Sequence, residues 1–328
     1  MNEHVPTFKR DNVPTSRHSD APRSNACTLS IIIVNWNTRD LLADCLRSVY
    51  NTVHDLTFEV FVVDNASSDG SAAMVHKRFP GVRLIENAEN VGFARANNQA
   101  IMQSEGEHVL LLNPDTVLSQ GAVARLIEGL TTLPSVGIVG AQLLNADGSL
   151  QDSWDHFPTL FREIPLLNRL GKSLGGPTYS GAFLVYKVDW VSGACLLIKR
   201  HVLDVIGGLD EDYFLYTEET DWCYRAHRAG WKVGFIPAAR VLHVRRMASR
   251  QRAVESMLCY YRSRLMFIAK HCGRASEVVL RAVLILKALL WMLLPSVSPL
   301  REAYHDMDLR QVRRAYAALV PVLLRPGA

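Results

Sequence analysis

The sequence predicts an α/β fold, a mostly parallel sheet flanked by helices, followed by a basic and apolar helical extension. Three observations carry this. Short aliphatic runs such as Ile31-Ile32-Ile33-Val34 and Val109-Leu110-Leu111-Leu112 recur. They are too short for helices and read as buried strands. Stretches of helical length separate them, the spacing of parallel strands joined by crossovers. The strands end in turn formers carrying an amide or an acid, at the edge where open α/β sheets bind ligands.

Taken in order, residues 1–27 are polar and rich in Pro, Ser and Asn, without the apolar stretch of a signal peptide, and read as a disordered leader. Residues 29–34 form the first strand, followed by Asn35-Trp36-Asn37-Thr38. A helix over 39–50 places Leu41, Leu42, Cys45, Leu46 and Val49 on one face. Residues 58–63 form the second strand, closed by Asp64-Asn65-Ala66-Ser67-Ser68-Asp69-Gly70. A helix through Val75 leads to a short strand at 82–85. The loop Asn90-Val91-Gly92-Phe93, a helix over 94–103 and the strand 109–112 complete the series, closed by Asn113-Pro114-Asp115. Asp115 reads either as a carboxylate placed to hold a divalent metal, and hence a phosphate, or as the cap of a helix starting near Thr116.

At 328 residues the chain can bury a sizeable core. It contains neither GxGxxG nor GxxxxGK[ST], so neither a dinucleotide fingerprint nor a P-loop is present. Six cysteines without CxxC spacing fit reduced thiols in a cytoplasmic compartment rather than a disulfide framework or a zinc site. The formal charge of +4 conceals an asymmetry: residues 245–328 carry 15 Lys+Arg and 5 Asp+Glu, a net of +10, which leaves −6 for residues 1–244. An acidic body suits a metal or phosphate site, and a basic tail suits an anionic partner.

Four motifs occur in order in the first half: Ser30-Ile-Ile-Ile-Val-Asn-Trp-Asn37, Val62-Val-Asp-Asn-Ala-Ser-Ser-Asp-Gly70, Asn90-Val-Gly-Phe-Ala-Arg-Ala-Asn-Asn98 and Leu112-Asn-Pro-Asp115. Four more follow: Val191-Ser-Gly-Ala-Cys195, Gly207-Gly-Leu-Asp-Glu-Asp-Tyr-Phe214, Thr217-Glu-Glu-Thr-Asp-Trp-Cys223 and Val241-Leu-His243. Together they resemble a family 2 inverting glycosyltransferase with the GT-A fold, of the rhamnosyltransferase-like branch. The likeness spans about residues 28–270 and makes 28–244 the expected transferase domain.

The resemblance implies a residue-level site. Asp115 matches the last acid of the family's DXD motif and is the expected ligand of Mg²⁺ or Mn²⁺, with Asn113 in place of the first Asp. His243 matches a metal-coordinating imidazole. Asp64 matches the carboxylate that accepts the N3–H of uracil or thymine; its other reading is an Asx-turn residue. Val34 and Trp36 border the same edge, with Trp36 stacked on the base or in the core. Arg95 and Asn98 are expected to face the nucleotide or its phosphates, and Gly193 and Ala194 to leave room beside the donor sugar. Glu218-Glu219-Thr220-Asp221 matches the motif Glu-Asp-x-Asp. Its second acid, Glu219, is the expected general base, and Asp221 is the alternative. Crowded like charges raise at least one pKa, which suits that task. An acidic first turn of a helix through Trp222 to Ala229 also explains the cluster. Trp154 and His156, within a loop at 151–159, read as part of an acceptor lid without an assigned role.

In the basic region, Arg245, Arg246, Arg250, Arg252, Arg262 and Arg264 are interleaved with Tyr260 and Tyr261. Residues 281–294 are very apolar but interrupted by Lys287, and shorter than the ~20 residues that span a bilayer. They read as an interfacial helix with Trp291 at the boundary, or as a buried core or dimer helix. Nucleic acid fits poorly, because the arginines accompany aliphatic stretches rather than stacking aromatics. The expected activity is transfer of a sugar, dTDP-rhamnose favoured as donor, to a polyprenyl-diphosphate-linked or cell-surface glycan precursor at the inner membrane face. UDP-galactofuranose and UDP-N-acetylglucosamine are alternative donors. A catalytically silent member of the fold is the alternative from another class. A sugar-phosphate nucleotidyltransferase lacks its Gly-rich loop here.

Overall fold

The computed structural model describes residues 27–54, 56–163, 178–180, 185–244, 253–298 and 308–325. The expected leader at 1–27 therefore lies outside the described residues except for Cys27. β1 (Leu29–Asn35), β2 (Phe58–Asp64), β3 (Arg83–Glu86) and β4 (His108–Leu112) are parallel in the order β3-β2-β1-β4. The crossovers contain α1 (Arg39–Thr52), α2 (Ser71–Arg78) and α3 (Phe93–Ile101). These elements match the sequence expectation with small shifts at their ends. β1 and β4 are buried along their whole length, as strands covered on both faces must be. Their side chains alternate: Ile31 and Ile33 join the core beneath α1 and α4 (Ala122–Thr132), and Ile32 and Val34 join the core on the α3 side.

After Asp115 the chain forms a strand, β5 (Thr116–Leu118), rather than a helix, and α4 begins only after the left-handed Gly121. Thr116-Val117-Leu118 pair antiparallel with Val241-Leu242-His243, the end of β12 (Lys232–His243). β-Branched residues and a waiting partner outweigh the capping alternative here.

Past β4 the sheet becomes mixed, continuing through β11 (Cys195–Lys199), β6 (Val136–Leu144), β12, β9 (Val185–Val188) and β8 (Thr178–Ser180). β11 is antiparallel to both β4 and β6, and β12 is parallel to β6. β6 and β12 therefore run in the direction of β4. β12 ends, and β11 begins, at the edge where β1, β2 and β4 end. The β6–β12 register shifts between Ile236 and Arg240, around Pro237, which has no N–H for the ladder. A two-stranded ribbon of β7 (Trp154–Asp155) and β10 (Trp190–Val191) lies beside the main sheet. The short α5 (Leu160–Glu163), α6 (Arg200–Ile206) and α7 (Glu218–Arg228) complete the body.

Among the described residues, the C-terminal unit is built mainly from α8 (Ala253–Cys272), α9 (Arg274–Leu293) and α10 (Leu309–Leu324). They share a third core that includes Leu265, Phe267, Leu280, Leu284, Val312 and Leu319, and Tyr213 of the body enters it. One face of α9 is thus a core face. Arg281, the first residue of the stretch expected to form an interfacial helix, is buried rather than presented at the surface. It pairs with Glu277 at 2.6 Å and donates to the carbonyls of Val322 and Leu323, the unpaired C-terminal groups of α10. Replacing Arg281 by Met strands both the half-buried Glu277 carboxylate and these carbonyls. We expect Arg281→Met to lower the unfolding free energy by roughly 3 kcal/mol, read from urea denaturation followed by circular dichroism.

Candidate active site

The ends of β1 and β2 are joined by a buried polar network. Asn35 Nδ2 donates to Asp64 Oδ1 at 2.8 Å and to Ser67 Oγ at 3.1 Å, and Asn35 Oδ1 accepts from Thr38 Oγ1 at 2.7 Å. The other Asp64 oxygen accepts from Ser67 N at 2.9 Å, closing an Asx-type turn. A carboxylate has lone pairs beyond these, so the turn leaves Asp64 able to accept a further bond at the sheet edge. Asn37 and Ala66 flank the network with left-handed φ values of 53° and 59°. Val34 is buried and Trp36 half-buried on the same edge.

The β5–β12 ladder brings Asp115 and His243 together. His243 is opposite Thr116, Val244 N donates to Asp115 O at 2.8 Å, and His243 Nε2 lies 3.3 Å from Asp115 Oδ1. Neither side chain is far from solvent, and two such ligands at this separation can share one cation. Among the described residues no group of three or more His, Cys, Asp and Glu is arranged to hold a metal. A cation held by this pair takes its remaining ligands from water or from a bound phosphate. The Asn113 side of the turn is anchored by the backbone: Asn113 N donates to Ala194 O at 2.9 Å, and Asn113 O accepts from Thr116 Oγ1 at 2.7 Å.

The same contact draws in the third group. Ser192-Gly193-Ala194 forms the turn before β11, and a Cβ placed on Gly193 would lie 3.4 Å from Cβ of Glu219. Glu219 therefore borders the turn that is bonded to Asn113, on the half-buried side of the acid cluster. Burial lifts its carboxyl above the ordinary range. Glu218 is buried more deeply. Burial and the neighbouring Glu219 charge push it well above that range. Glu218 Oε2 has no hydrogen-bond partner among the described residues.

Asp221 is differently placed. It has no exposure, and both oxygens are engaged: Arg225 Nε donates to Oδ2 at 2.7 Å and His271 Nε2 donates to Oδ1 at 2.7 Å. Burial alone would raise its pKa, but these donors outweigh it and hold the carboxyl below the usual range. Arg225 also donates to the carbonyls of Ile206 and Gly208. Lys270 pairs with Asp210, and Ser263 Oγ donates to Leu215 O at 2.8 Å. Helix α8 thus lines the outer side of the 206–221 segment, a relation that spacing in the sequence could not reveal.

Two residues expected to face a nucleotide lie beside this segment. Asn98 donates to Leu209 O at 2.8 Å and to Glu211 Oε1 at 2.9 Å, and accepts from Leu209 N at 2.9 Å. Arg95 lies 3.8 Å from Glu211 and is largely exposed. The segment ends in Tyr216 and Thr217, with left-handed φ values of 68° and 73°, and Thr217 O then accepts the first bond of α7 from Asp221 N at 2.8 Å. At the start of α3, Phe93 N donates to Phe214 O at 2.7 Å. Gly92, at φ +88°, lies so close that a Cβ would sit 2.7 Å from that oxygen. His156, from the expected lid, contacts Asp189 at 3.2 Å, and its carbonyl accepts from Trp190 Nε1. Gln151, from the same stretch, reaches His243 and carried no signal in the sequence.

The model of the family Glycosyl transferase family 2 matches residues 30–195. An N-acetylglucosaminyl-diphospho-decaprenol L-rhamnosyltransferase of Mycobacterium tuberculosis is 29% identical over 264 residues, 75% of this chain and 85% of the relative. Among solved structures, a mannosyltransferase from Pyrobaculum calidifontis in complex with GDP-Man and Mn²⁺ superposes with a TM-score of 0.53 at 18% identity. That match covers 91% of this chain and 88% of that one. GalNAc-T7 with UDP, GalNAc and Mn²⁺ gives 0.55 at 18% identity, over 73% of this chain and 48% of that one. The chain belongs to glycosyl transferase family 2, and its fold is that of the GT-A glycosyltransferases.

Asn at position 221 keeps the shape and removes the charge that Arg225 and His271 share. We expect Asp221→Asn to lower stability by roughly 3 kcal/mol near pH 7. The wild-type carboxylate is the depressed group, so its advantage is present above its unfolded pKa and is lost as pH falls below about 4. Urea unfolding of both proteins across pH 3 to 8 measures the difference.

Proposed function

We propose that this member of glycosyl transferase family 2 is an inverting, metal-dependent enzyme that moves a sugar from a nucleotide diphosphate to a lipid-linked glycan precursor. One observation carries the reading: Glu219, the Asn113–Asp115 turn and His243 are joined through Gly193 and Ala194 at a single edge of the sheet. Asp64 and Trp36 border that edge at the ends of β2 and β1, where a uracil or thymine base with an N3–H fits an acceptor carboxylate. Asn113, Gly193 and Ala194 line the place of the diphosphate and the sugar. Arg95 serves the phosphates from its exposed position at the start of α3. Asn98 and Asp221 act as braces for the 206–221 segment.

Asp115 and His243 fit a divalent cation, and the imidazole favours Mn²⁺ over the harder Mg²⁺. Such an ion, when bound, supplies Lewis-acid stabilisation of the leaving diphosphate. Glu219 accepts the proton of the acceptor hydroxyl. The oxygen then attacks the anomeric carbon from the face opposite the diphosphate, whose C–O bond breaks with the electron pair leaving on the nucleotide. The configuration inverts. Raised basicity suits Glu219 to this step near neutral pH.

The mycobacterial relative's name supports L-rhamnose as the sugar moved, here from dTDP-rhamnose as we propose, and an N-acetylglucosaminyl-diphospho-polyprenol as acceptor. The C-terminal unit suits such a substrate. Among the described residues no helix is long and apolar enough to cross a membrane. The outer face of α9 nevertheless exposes Val278, Val279, Leu286, Leu289, Leu290 and Leu293. This face would lie on the lipid surface that carries the acceptor. Arg245, Arg246, Arg250 and Arg252 lie outside the described residues; their charge suits anionic headgroups.

Incubation with dTDP-rhamnose, Mn²⁺ and the N-acetylglucosaminyl lipid should form a disaccharide lipid. Glu219→Gln should lower kcat by about 10³-fold with nucleotide binding retained. Equal rates would remove Glu219 from the mechanism. Because the base must be ionised, kcat/KM falls in acid, and burial places that limb above pH 4.5, the ordinary value for glutamate. In co-sedimentation with anionic vesicles, Leu286→Glu with Leu290→Glu should release the wild-type protein's membrane binding.

A further inference from the structure

The Asp147-Gly148 turn, with Gly148 at φ +80°, folds the chain back along the end of β6 and lays Gln151 against the end of β12. Gln151 is 5% exposed, and its amide is fully used. Nε2 donates to the carbonyl of His243 at 2.7 Å and to that of Leu144 at 3.2 Å; Oε1 faces His243 Nδ1 at 3.0 Å. Two carbonyls can only accept, so the amide cannot be reversed without facing acceptor against acceptor. The oxygen must therefore face the ring, and Nδ1 must carry the hydrogen that it accepts. In the neutral imidazole this leaves the lone pair on Nε2, which lies 3.3 Å from Asp115 Oδ1. A lone pair facing a carboxylate across that gap must be met by a positive charge between them, a proton on Nε2 or a metal cation.

We propose that Gln151 is a positioning residue that fixes the tautomer and ring orientation of His243, and so presents a paired Nε2 and carboxylate to a divalent cation. The backbone holds Gln151 for this task. Gln151 N donates to Leu143 O at 2.9 Å, and its own carbonyl accepts from Gln142 Nε2 at 3.0 Å and from Ser153 Oγ at 2.8 Å. Residues behind a metal ligand commonly contribute 10- to 100-fold to metal affinity. The inference rests on the reading of Asp115 and His243 as metal ligands, and the test separates the two.

Nitrogen NMR of the ¹⁵N-histidine-labelled, metal-free protein reports the tautomer, with His243 assigned by its absence in His243→Ala. Electron paramagnetic resonance of Mn²⁺ in the presence of UDP reports affinity. Wild type should show Nδ1–H. Gln151→Met, close in shape but without an acceptor, should mix the tautomers and weaken Mn²⁺ about 10- to 100-fold. The inference is overturned by a wild-type His243 that lacks the Nδ1 hydrogen, which needs no variant to fold. A Gln151→Met protein that changes only one of the two readouts, or neither, also overturns it. If His243→Ala leaves Mn²⁺ affinity unchanged, the metal reading itself falls; if it weakens Mn²⁺ while Gln151→Met does not, only the role of Gln151 falls.

Discussion

A carboxylate without access to water, Asp221, ties together three parts of the chain that are distant in sequence. Arg225 binds it from the next turn of the same helix and carries the link to the carbonyls of Ile206 and Gly208. His271 binds it from the C-terminal unit. A buried charge is tolerable only when it is paired and hydrogen-bonded, so these partners are obligatory rather than decorative. The position of Glu219, two residues earlier on the same first turn, depends on that clamp. So does the fit of Asn98 against Leu209 and Glu211, which fastens the segment to α3.

The chain is strained where these parts meet. Tyr216 and Thr217 adopt left-handed conformations in succession, and a β-branched residue in that region is an outlier. Asn37 and Ala66 do the same beside the Asn35–Asp64 network. Such residues cost of order 1–3 kcal/mol each and persist only where the surroundings over-determine them. Here the surroundings are the buried networks, so the two sides of the sheet edge are held rigid by the same means. The gain is a proposed general base and a pair of candidate metal ligands whose relative positions are set before a substrate arrives.

The C-terminal helices have two faces and two tasks. Inward, α8 supplies His271, Lys270 and Ser263 to the 206–221 segment, and α9 and α10 complete the core around Tyr213. Outward, α9 leaves a row of aliphatic side chains uncovered. Because α8 contacts both the acid helix and the other two helices, the surface proposed to meet lipid is mechanically continuous with the segment that positions Glu219.

Local pattern determined much of this protein. Short aliphatic runs followed by Asn35, Asp64 and Asn113-Pro114-Asp115 are enough to specify β1, β2 and β4 and the polar edge at their ends, because strand burial and turn chemistry act over a few residues. Family membership was legible in the motifs for the same reason. The tertiary structure decided what depends on distant partners. It made residues 116–118 a strand, because β12 was there to pair with them, and it brought His243 to Asp115 through that pairing. It gave Asn98 and Asp221 to the 206–221 segment and buried Arg281 against the end of α10. It also placed Gln151 behind His243, 92 residues away. No spacing rule encodes these contacts, since each exists only when the sheet has closed and two remote segments share one edge.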